Sequence, residues 1–367
     1  MTHASRGASR RMTLTSMTVL VTCALLAACS TGPDPTPSQG GSQGTASSQP
    51  STSAEDPGPS ASESAAALPE PSGTMSLYTS ATQDTVDAVL AAYADVAPDV
   101  SVEAFRAPTG ELDARIAAEI REGQIGGDVV WGTDPLSVQS YASQDLLEAW
   151  TPPEAASVPE EYQTDTFWGT RLLNMVIVHG ADSTDPPTDW KDLAGAAYAD
   201  GVGIPDPGFA GSAFAVLGYF ASNPDFGIEY YQRLADNGAT QVQAVAEVLT
   251  GVAEGRFSAG MTLDKSARDA VAQGSPIEIV WPSSGAITIY SPVGVFAAAQ
   301  NMDNGKHFAN FLLTPEGQAA IASTGWQPVR DDVDGPPIDG EQVSPEWSKI
   351  FDRQQELLDE YRAIFGG

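Results

Sequence analysis

A sharp break in the chain precedes an apolar helix pattern. The segment GIPDPGFAGSAF, residues 203–214, passes through Pro-Asp-Pro and small residues to Gly211 and Ser212, where the helix pattern begins. The first backbone N–H groups of a helix lack partners within it and carry the positive end of its dipole, so this start offers an anion-binding site. Ser212 is equally compatible with an ordinary N-cap, which stabilises a helix by about 1 kcal/mol.

A lysine at a turn could supply positive charge to the same anion. Lys265 follows the strand pattern SAGMTLD, residues 258–264. An ammonium group can hold a phosphonate or a carboxylate as a point charge, and Asp264 beside it could orient that ammonium or bind an amine of a ligand. The alternative is a surface lysine that begins a helix over residues 265–274.

A second basic segment combines a cation with a helix start. Arg106 is followed by Thr109, Gly110 and Glu111, so a guanidinium, a hydroxyl and free backbone amides occur within six residues. The amides at Gly110 and Glu111 could serve a ligand and the helix together. Thr109 is also a candidate N-cap, and Glu111 is a first-turn acid that complements the helix dipole.

Alternating strands and helices must bring these residues together. Strand patterns cover residues 75–80, 100–105 and 128–132, and helix patterns cover residues 83–97 and 111–123. This alternation predicts an α/β fold with a mixed, mostly parallel sheet. Ligands of such sheets bind at the carboxyl ends of the strands, so the loops that follow the strands are the candidate binding elements.

Three loops of the first half meet this condition. They are Thr79 with Ser80, the segment Arg106–Gly110, and the segment Gly132–Pro135 with Thr133 and Asp134. Two aromatic residues, Tyr78 and Trp131, lie near the same strand ends and could line a cleft. Their alternative place is the hydrophobic core, where aromatic residues bury a large apolar surface.

The pattern repeats in the second half of the chain. Two long strands, residues 171–180 and 287–299, flank the repeat. The other predicted elements are strands over residues 202–205 and 277–282, a helix from Ser212, and helices over residues 304–323 and 345–365. This layout predicts two lobes joined by a two-strand hinge that closes around a ligand. We assign residues 74–180 to lobe 1, residues 181–284 to lobe 2, and residues 285–367 to the hinge return, the completion of lobe 1 and the C-terminal helices.

The first 28 residues have the composition of a secretory signal. A basic start that includes Arg10 and Arg11 precedes an apolar run over residues 12–28, which is too short for a membrane span. The run ends in Leu-Ala-Ala-Cys, which resembles the lipobox of bacterial lipoproteins and predicts a lipid on Cys29. The paired arginines also hint at twin-arginine export.

The next segment, residues 29–73, is dominated by Ser, Thr, Pro, Gly, Gln and Ala, and cannot bury a core. It therefore predicts a flexible tether. Together with the lipid, it predicts an extracytoplasmic protein that is anchored to the outer face of the cell membrane.

Charge and cysteine content exclude several classes of partner. The chain has 48 acidic and 17 basic residues and a formal net charge of −31 at pH 7. A protein of this charge is repelled by nucleic acid and by anionic lipid. One of its two cysteines, Cys23, lies in the predicted signal, so no disulfide is expected in the fold. We expect a monomer.

The sequence of the predicted fold contains no catalytic motif. It lacks a Gly-x-Ser-x-Gly nucleophile elbow, a His-Glu-x-x-His pair and a Gly-x-x-x-x-Gly-Lys phosphate loop. We therefore expect neither an enzyme nor a cofactor. An extracellular hydrolase is the competing class, since carboxylates are abundant, but it requires two convergent carboxylates with perturbed pKa values.

Seven motifs in order resemble those of a known family. They are LYTS, PTGELDARI, DVVWGTDP, PPTDWKDL, IPDPGFAGSA, SPVGVFAAA and FLLTPEGQAAIASTGWQPVR, and they run from residue 77 to residue 330. The chain is similar to the substrate-binding lipoproteins of bacterial ABC importers, with the two-lobed type II periplasmic-binding fold. The most similar group holds the ferric-iron-type and 2-aminoethylphosphonate-type proteins.

The resemblance implies that the protein captures a solute outside the cell and delivers it to a membrane permease powered by an ATPase. It also implies where the ligand contacts lie. They would come from the three loops of lobe 1, from Ser212 and Ala213, and from the turn formed by Asp264 and Lys265.

The ligand remains open between an anion and iron. Asp134 matches the position of an iron-binding carboxylate in the ferric proteins, but the turn that should offer tyrosines reads Asp264-Lys265-Ser266. The pair Tyr230 and Tyr231 lies in a helical stretch where packing explains it better. We therefore expect a small anionic or zwitterionic solute of the phosphonate type, with ferric iron and a bound anion as the alternative. For an anion, Asp134 would meet a ligand ammonium or cap the helix from Pro135.

Overall fold

Strands and helices alternate along the part of the chain that the structure, a computed structural model, describes, residues 68–366. The strands are β1 (Gly73–Thr79), β2 (Val100–Arg106), β3 (Val129–Trp131), β4 (Phe167–Gly180), β5 (Val202–Pro205), β6 (Thr240–Val242), β7 (Ala259–Leu263), β8 (Ile277–Val280), β9 (Ala286–Val295), β10 (Gln327–Pro328) and β11 (Gln342–Val343). The α-helices are α1 (Gln83–Val96), α2 (Thr109–Glu122), α3 (Pro135–Ala142), α4 (Trp190–Leu193), α5 (Gly211–Ser222), α6 (Glu229–Asp236), α7 (Val245–Ala253), α8 (Asp264–Ala272), α9 (Met302–Phe311), α10 (Pro315–Ser323) and α11 (Gln354–Phe365).

Two long antiparallel strands form the centre of the sheet. Strands β4 and β9 pair from Phe167 with Gly294 to Met175 with Ile287. On one side, β9 continues to β3, β1 and β2, and on the other, β4 continues to β7, β5 and β6. The three outer strands of each side are parallel to one another. The predicted mixed α/β fold is therefore confirmed. Two sets of three parallel strands, the triplets β1–β2–β3 and β5–β6–β7, are joined through the antiparallel pair β4 and β9.

Helices cover each triplet and define two lobes. We call β1, β2 and β3, with the helices packed on them, the first lobe; β5, β6 and β7 with their helices form the second lobe. Helices α9 and α10 return to the first lobe, where they contact β1 and α1 respectively, whereas α11 packs on α5 and α6 of the second lobe and also reaches α3. Strand β4 is buried along nearly its whole length, as expected for a strand covered on both faces.

Several element boundaries differ from the predictions. Strand β4 begins at Phe167, four residues before the predicted start at Arg171. Helix α11 begins only at Gln354, because two short 3₁₀ turns occupy Trp347–Lys349 and Phe351–Arg353. The sequence analysis did not predict β6 or α7, whose hydrophobic patterns are short.

The fold begins at the end of the predicted tether. Ser72 donates its backbone N–H to Asn304 Oδ1 over 3.1 Å, and Asn304 Nδ2 donates to the Ser72 carbonyl over 2.8 Å. Strand β1 follows at Gly73. The predicted secretory signal, Cys29 and most of the tether lie outside the described residues. None of the helices within residues 68–366 is both long and apolar enough to cross a membrane.

One aromatic cluster illustrates how the core uses residues that could bind metal elsewhere. Tyr230 and Tyr231 are both buried, and their rings lie 4.4 Å and 5.9 Å from the Phe220 ring. Tyr230 donates its hydroxyl to the Trp190 carbonyl over 2.6 Å. These tyrosines therefore stabilise the second lobe, and their hydroxyls do not reach the cleft described below.

Candidate functional site

The two triplets end at different levels of β4, and this offset creates a cleft. Trp131, the last residue of β3, is level with Trp168 of β4 across β9. Leu263, the last residue of β7, pairs with Met175 of β4. Seven residue steps, roughly 20 Å of extended strand, separate these two levels. The carboxyl ends of the two triplets therefore face each other across residues 169–174 of β4, which form the floor of the cleft.

A cavity of about 170 Å³ occupies this cleft. From the first lobe it is lined by Ser80, Thr82, Arg106, Pro108, Thr109 and Thr133; from the second lobe by Phe209, Ala210, Gly211, Ser212, Gln243, Ala244, Val245 and Leu263; and from the floor and its edge by Arg171, Leu173 and Trp326. The loops after β1, β2, β3, β5 and β6 therefore line the cavity, as expected for a ligand site at the carboxyl ends of parallel strands.

Four helices present their N-terminal ends to the cavity. The N-cap residues of α1, α2, α5 and α7 are Thr82, Pro108, Ala210 and Ala244, and all four line it. None of these caps forms a side-chain hydrogen bond to a backbone N–H of its helix. Proline and alanine cannot offer a capping oxygen. Except for the Gly110 N–H of α2, which donates to the Phe209 carbonyl, the N–H groups of the first two residues of these helices therefore remain available. The positive ends of four dipoles converge on one small volume.

Arg171 places a buried positive charge on the floor of the cavity. Its side chain is about 1% exposed, and its Nε and Nη1 atoms have no hydrogen-bond partner within residues 68–366. The guanidinium carbon lies 4.7 Å from the centre of the Trp326 ring and 5.3 Å from that of Trp131. A β-bulge between Gly169 and Arg171 interrupts the pairing of β4 with β9 at this point.

Burial governs the electrostatics of this arginine. It lowers the pKa of Arg171 to about 9, and the charge of Asp84 partly opposes that shift. The guanidinium therefore stays charged at neutral pH. A buried charge without a partner is costly, and the two indole faces compensate only in part through cation–π contacts. A bound anion would remove most of that cost.

A second guanidinium and several hydroxyls complete the polar lining. Arg106 donates its Nε–H to the Ala81 carbonyl over 2.9 Å and forms no ion pair within residues 68–366. The hydroxyls of Ser80 and Thr133 lie 2.8 Å apart. Thr109 and Ser212 contribute hydroxyls from the opposing helix starts of α2 and α5. Six of the residues predicted from sequence therefore meet in one cavity: Ser80, Arg106, Thr109, Thr133, Gly211 and Ser212.

Other predicted residues support the cavity from behind. Thr79 is buried and donates its hydroxyl to the Trp131 carbonyl over 2.8 Å. Trp131 is also buried, and its Nε1–H donates to Thr170 Oγ1 over 2.9 Å. Tyr78 is buried and donates to Glu119 Oε1 over 2.8 Å. These three residues shape the strand ends without lining the cavity.

Three more predicted residues lie on the two helix starts beside the cavity. The Gly110 N–H donates to the Phe209 carbonyl over 3.3 Å, so this glycine joins the two lobes. Glu111 is exposed on the surface of α2, and Ala213 is buried within α5. None of the three side-chain positions is part of the lining.

The predicted pair Asp264 and Lys265 is already engaged within the protein. Lys265 Nζ lies 2.7 Å from Asp84 Oδ2 and 2.9 Å from Asp269 Oδ2. Asp264 Oδ2 lies 3.0 Å from Arg268 Nη2. Neither side chain lines the cavity. The resemblance implied ligand contacts here, and local sequence patterns do not show the pairing of Lys265 with Asp84, 181 residues away.

Asp134 acts as the N-cap of α3 and lies beneath the cavity wall. Its Oδ1 accepts the Ser137 N–H over 2.9 Å, whereas its Oδ2 has no hydrogen-bond partner within residues 68–366. Gly211 and Thr109 lie between this oxygen and the cavity. Burial raises the pKa of Asp134 to about 7, and the nearby charge of Asp113 adds to the shift. The predicted capping role is thus present, and the carboxyl does not line the cavity.

Arg171 and Trp326 line the cavity but were not predicted from the sequence. Arg171 stands at the start of an apolar strand pattern, RLLNMVIVHG, where a charged residue commonly reaches solvent. The feature that could have identified it is a single arginine in an otherwise apolar strand. A charged side chain that is buried in such a strand requires a partner of opposite charge or a ligand. Trp326 lies in the motif TGWQPVR, but nothing in the sequence shows that β10 brings it against β4 at Arg171 and Leu172.

Comparison with known proteins identifies the family. The family described as bacterial extracellular solute-binding protein matches residues 76–327. A putative 2-aminoethylphosphonate-binding periplasmic protein of Salmonella typhimurium is 25% identical over 249 residues, which cover 65% of this chain and 72% of that protein. A spermidine/putrescine-binding periplasmic protein of the same organism is 26% identical over 178 residues, 46% of this chain and 49% of that protein.

Solved structures share the fold. The periplasmic binding protein AfuA from Actinobacillus pleuropneumoniae, with fructose-6-phosphate bound, has a TM-score of 0.71 at 20% identity over 79% of this chain and 98% of that chain. Iron-bound HitA from Pseudomonas aeruginosa has a TM-score of 0.70 at 18% identity over 80% and 99%. At this identity the likeness concerns the fold alone. From the match over most of its folded part, the chain belongs to the bacterial extracellular solute-binding proteins, which are transport components of ABC importers.

Proposed function

We propose that this protein captures a small phosphonate- or phosphate-type anion in the cavity between its lobes and delivers it to the permease of an ABC importer. The observation that carries the proposal is Arg171, a buried guanidinium on the cavity floor whose Nε and Nη1 have no partner within residues 68–366. A phosphoryl group has several charged acceptor oxygens that can take charge-assisted hydrogen bonds from a guanidinium, which makes it a suitable partner for this residue.

The surroundings of Arg171 favour the same class of ligand. Four helix N-termini and the hydroxyls of Ser80, Thr109, Thr133 and Ser212 can donate to the remaining oxygens of a phosphoryl group. The volume of about 170 Å³ suits a small solute. Among similar proteins, one is named for 2-aminoethylphosphonate and another holds fructose-6-phosphate, so phosphoryl ligands occur both among relatives and within this fold.

Iron fits the cavity less well than an anion does. Ferric ion prefers carboxylate and phenolate oxygens, and the lining residues within the described part of the chain include no Asp, Glu or Tyr. Asp134, the candidate iron ligand, lies behind Gly211 and Thr109. Two guanidinium groups, of Arg106 and Arg171, would also repel a bare cation. The same repulsion disfavours a polyamine.

The cavity also fits a closing motion of the two lobes. The Gly110 N–H of the first lobe contacts the Phe209 carbonyl of the second, which is a contact expected of a closed form. Opening would occur by rotation about β4 and β9, the two strands that pass between the lobes. The ligand would enter the open form and stabilise the closed one.

The location of the protein follows from residues outside the described part. We propose that the first 28 residues direct export and that Cys29 carries a lipid. Residues 30–72 would then tether the protein to the outer face of the cell membrane, near its permease, and leave it a monomer free to move beside the membrane.

A thermal-shift screen tests this proposal. The probes are alkylphosphonates, phosphate monoesters, amino acids, spermidine and ferric citrate, each added to the purified chain without its first 28 residues. A ligand at 100 times its Kd stabilises the folded protein by about 2.7 kcal/mol, which is visible as a raised midpoint. We expect the phosphonates and phosphate esters to raise the midpoint. A shift with spermidine or ferric citrate alone would contradict the proposal.

A further inference from the structure

The charges that line the cavity are all of one sign. Two guanidinium groups, of Arg106 and Arg171, face it, and none of its lining residues within residues 68–366 is acidic. A zwitterion such as 2-aminoethylphosphonate carries an ammonium group two carbons from its phosphonate. In a cavity of this size, that ammonium would be desolvated close to positive charges, and it would need a carboxylate to be stable.

Three carboxylates on elements that border the cavity are not available to such an ammonium. Asp134 is separated from the cavity by Gly211, where even an added methyl group would clash with its Oδ2. Asp84 lies 2.7 Å from Lys265 Nζ, and Asp264 lies 3.0 Å from Arg268 Nη2. Each of these acids is therefore either shielded or already paired with a cation of the protein.

The rest of the cavity offers apolar contacts instead. Leu173, Val245, Leu263 and the indole of Trp326 line it together with Phe209. Burial of a methyl or methylene group against such surfaces is favourable, whereas an ammonium gains no hydrogen bond from them. The part of the ligand that extends from the phosphoryl group therefore meets hydrocarbon rather than a counter-charge.

We propose that the cavity selects a phosphonate or phosphate-ester dianion whose remaining part is uncharged and apolar, and that it rejects the zwitterion 2-aminoethylphosphonate. This inference rests on the proposed function of the same site and narrows its ligand. Selection would follow from the sign of the charges in the lining. Both guanidiniums attract the phosphoryl charge, and the lining residues within 68–366 offer no carboxylate to the amine.

Two probes of nearly equal shape test the proposal on the unaltered protein. Propylphosphonate carries a methyl group where 2-aminoethylphosphonate carries an ammonium, so the pair differs in charge with little change in size. Isothermal titration calorimetry should give a Kd for propylphosphonate at least about tenfold lower, the ratio that corresponds to 1.4 kcal/mol. An equal or lower Kd for 2-aminoethylphosphonate would overturn the inference while leaving an anion site in place. If neither probe binds, the proposed function itself fails.

A single substitution provides the converse test. Gln243 lines the cavity and its side chain is exposed, so Gln243→Glu adds a carboxylate of the same shape without disturbing the core. The variant should bind propylphosphonate more weakly and 2-aminoethylphosphonate more tightly, which inverts or narrows the ratio of the two Kd values. A ratio unchanged from that of the parent protein, with unchanged thermal stability, would contradict the proposed role of the lining charge. Gln232→Glu, on the exposed face of α6, is the matched control.

Discussion

Gly211 and Asp134 meet where the two lobes touch, and the space between them admits only a hydrogen atom. A Cβ atom at Gly211 would clash with Asp134 Oδ2 and would lie 2.7 Å from Thr109 Oγ1. Gly211 begins α5 in the second lobe, whereas Asp134 and Thr109 belong to the first. The glycine therefore lets the positive end of α5 approach the first lobe closely, which places Ser212 in the wall of the cavity.

Gly211→Ala should weaken anion binding. The added methyl group must push α5 away from the first lobe, which opens the cavity and misplaces the Ser212 hydroxyl. We expect the Kd for the bound phosphonate to rise at least about tenfold, or 1.4 kcal/mol, by calorimetry. Gly180→Ala at the far end of β4 is the control, because its Cβ would meet only the flexible Asp182 side chain at 3.0 Å. Parental affinity in Gly211→Ala would show that the lobes need not meet this closely.

Asp134→Asn should change how stability depends on pH. Burial raises the pKa of Asp134 from 3.8 to about 7, so the folded protein keeps this proton between about pH 4 and pH 7 after the unfolded chain has lost it. Ionisation of Asp134 therefore lowers the free energy of unfolding increasingly as pH rises through this window. Asparagine keeps the N-cap but cannot ionise. Urea titrations should show the variant gaining stability over the parent, by on the order of a few kcal/mol near pH 8 and little near pH 4. A constant difference across this range would contradict the assignment.

Arg171→Met should stabilise the protein when no ligand is bound. Methionine occupies a similar length between Trp131 and Trp326 and removes a buried charge that lacks a partner. Replacement of buried charges by apolar residues is often neutral or stabilising, by about 1–4 kcal/mol. The free energy of unfolding from urea titration should rise or stay equal. A marked loss of stability would mean that Arg171 has a structural partner and would weaken its assignment to the ligand.

Ligand binding should make the protein more compact in solution. Contacts of Gly110 with Phe209 and of Asp84 with Lys265 join the lobes in this form, and rotation about β4 and β9 would separate them. Small-angle scattering of the chain without its first 72 residues should give a smaller radius of gyration with saturating phosphonate than without it. Equal radii in both states would argue against closure about these strands.

Much of the site could be predicted because ligands of parallel sheets bind at the carboxyl ends of the strands. Ser80, Arg106 and Thr133 follow parallel strands directly, so a coarse pattern of strands and helices is enough to bring them to one edge of the sheet. Ser212 was found for a related reason, since a helix start after Pro-Asp-Pro is visible in the sequence. These predictions required no knowledge of the exact register of strand pairing or of contacts between residues far apart in the sequence.

Residues whose role depends on register or distant pairing could not be predicted. Arg171 reaches the cavity only because β4 begins at Phe167 and bulges after Gly169. Lys265 does not line the cavity, because its ammonium pairs with Asp84 of the first lobe, which is 181 residues away in the sequence. Both outcomes depend on contacts between segments far apart in sequence, and local patterns contain no information about them.

The most direct test of the account is calorimetric titration of Arg171→Met with propylphosphonate, alongside the parent protein. Arg256→Met, which alters an exposed guanidinium paired with Glu254, is the matched control. The account predicts that the control binds as the parent does, whereas Arg171→Met, with equal or higher stability, loses at least about a hundredfold in affinity, or 2.8 kcal/mol. Parental affinity in a folded Arg171→Met would contradict the claim that this buried guanidinium holds the anion.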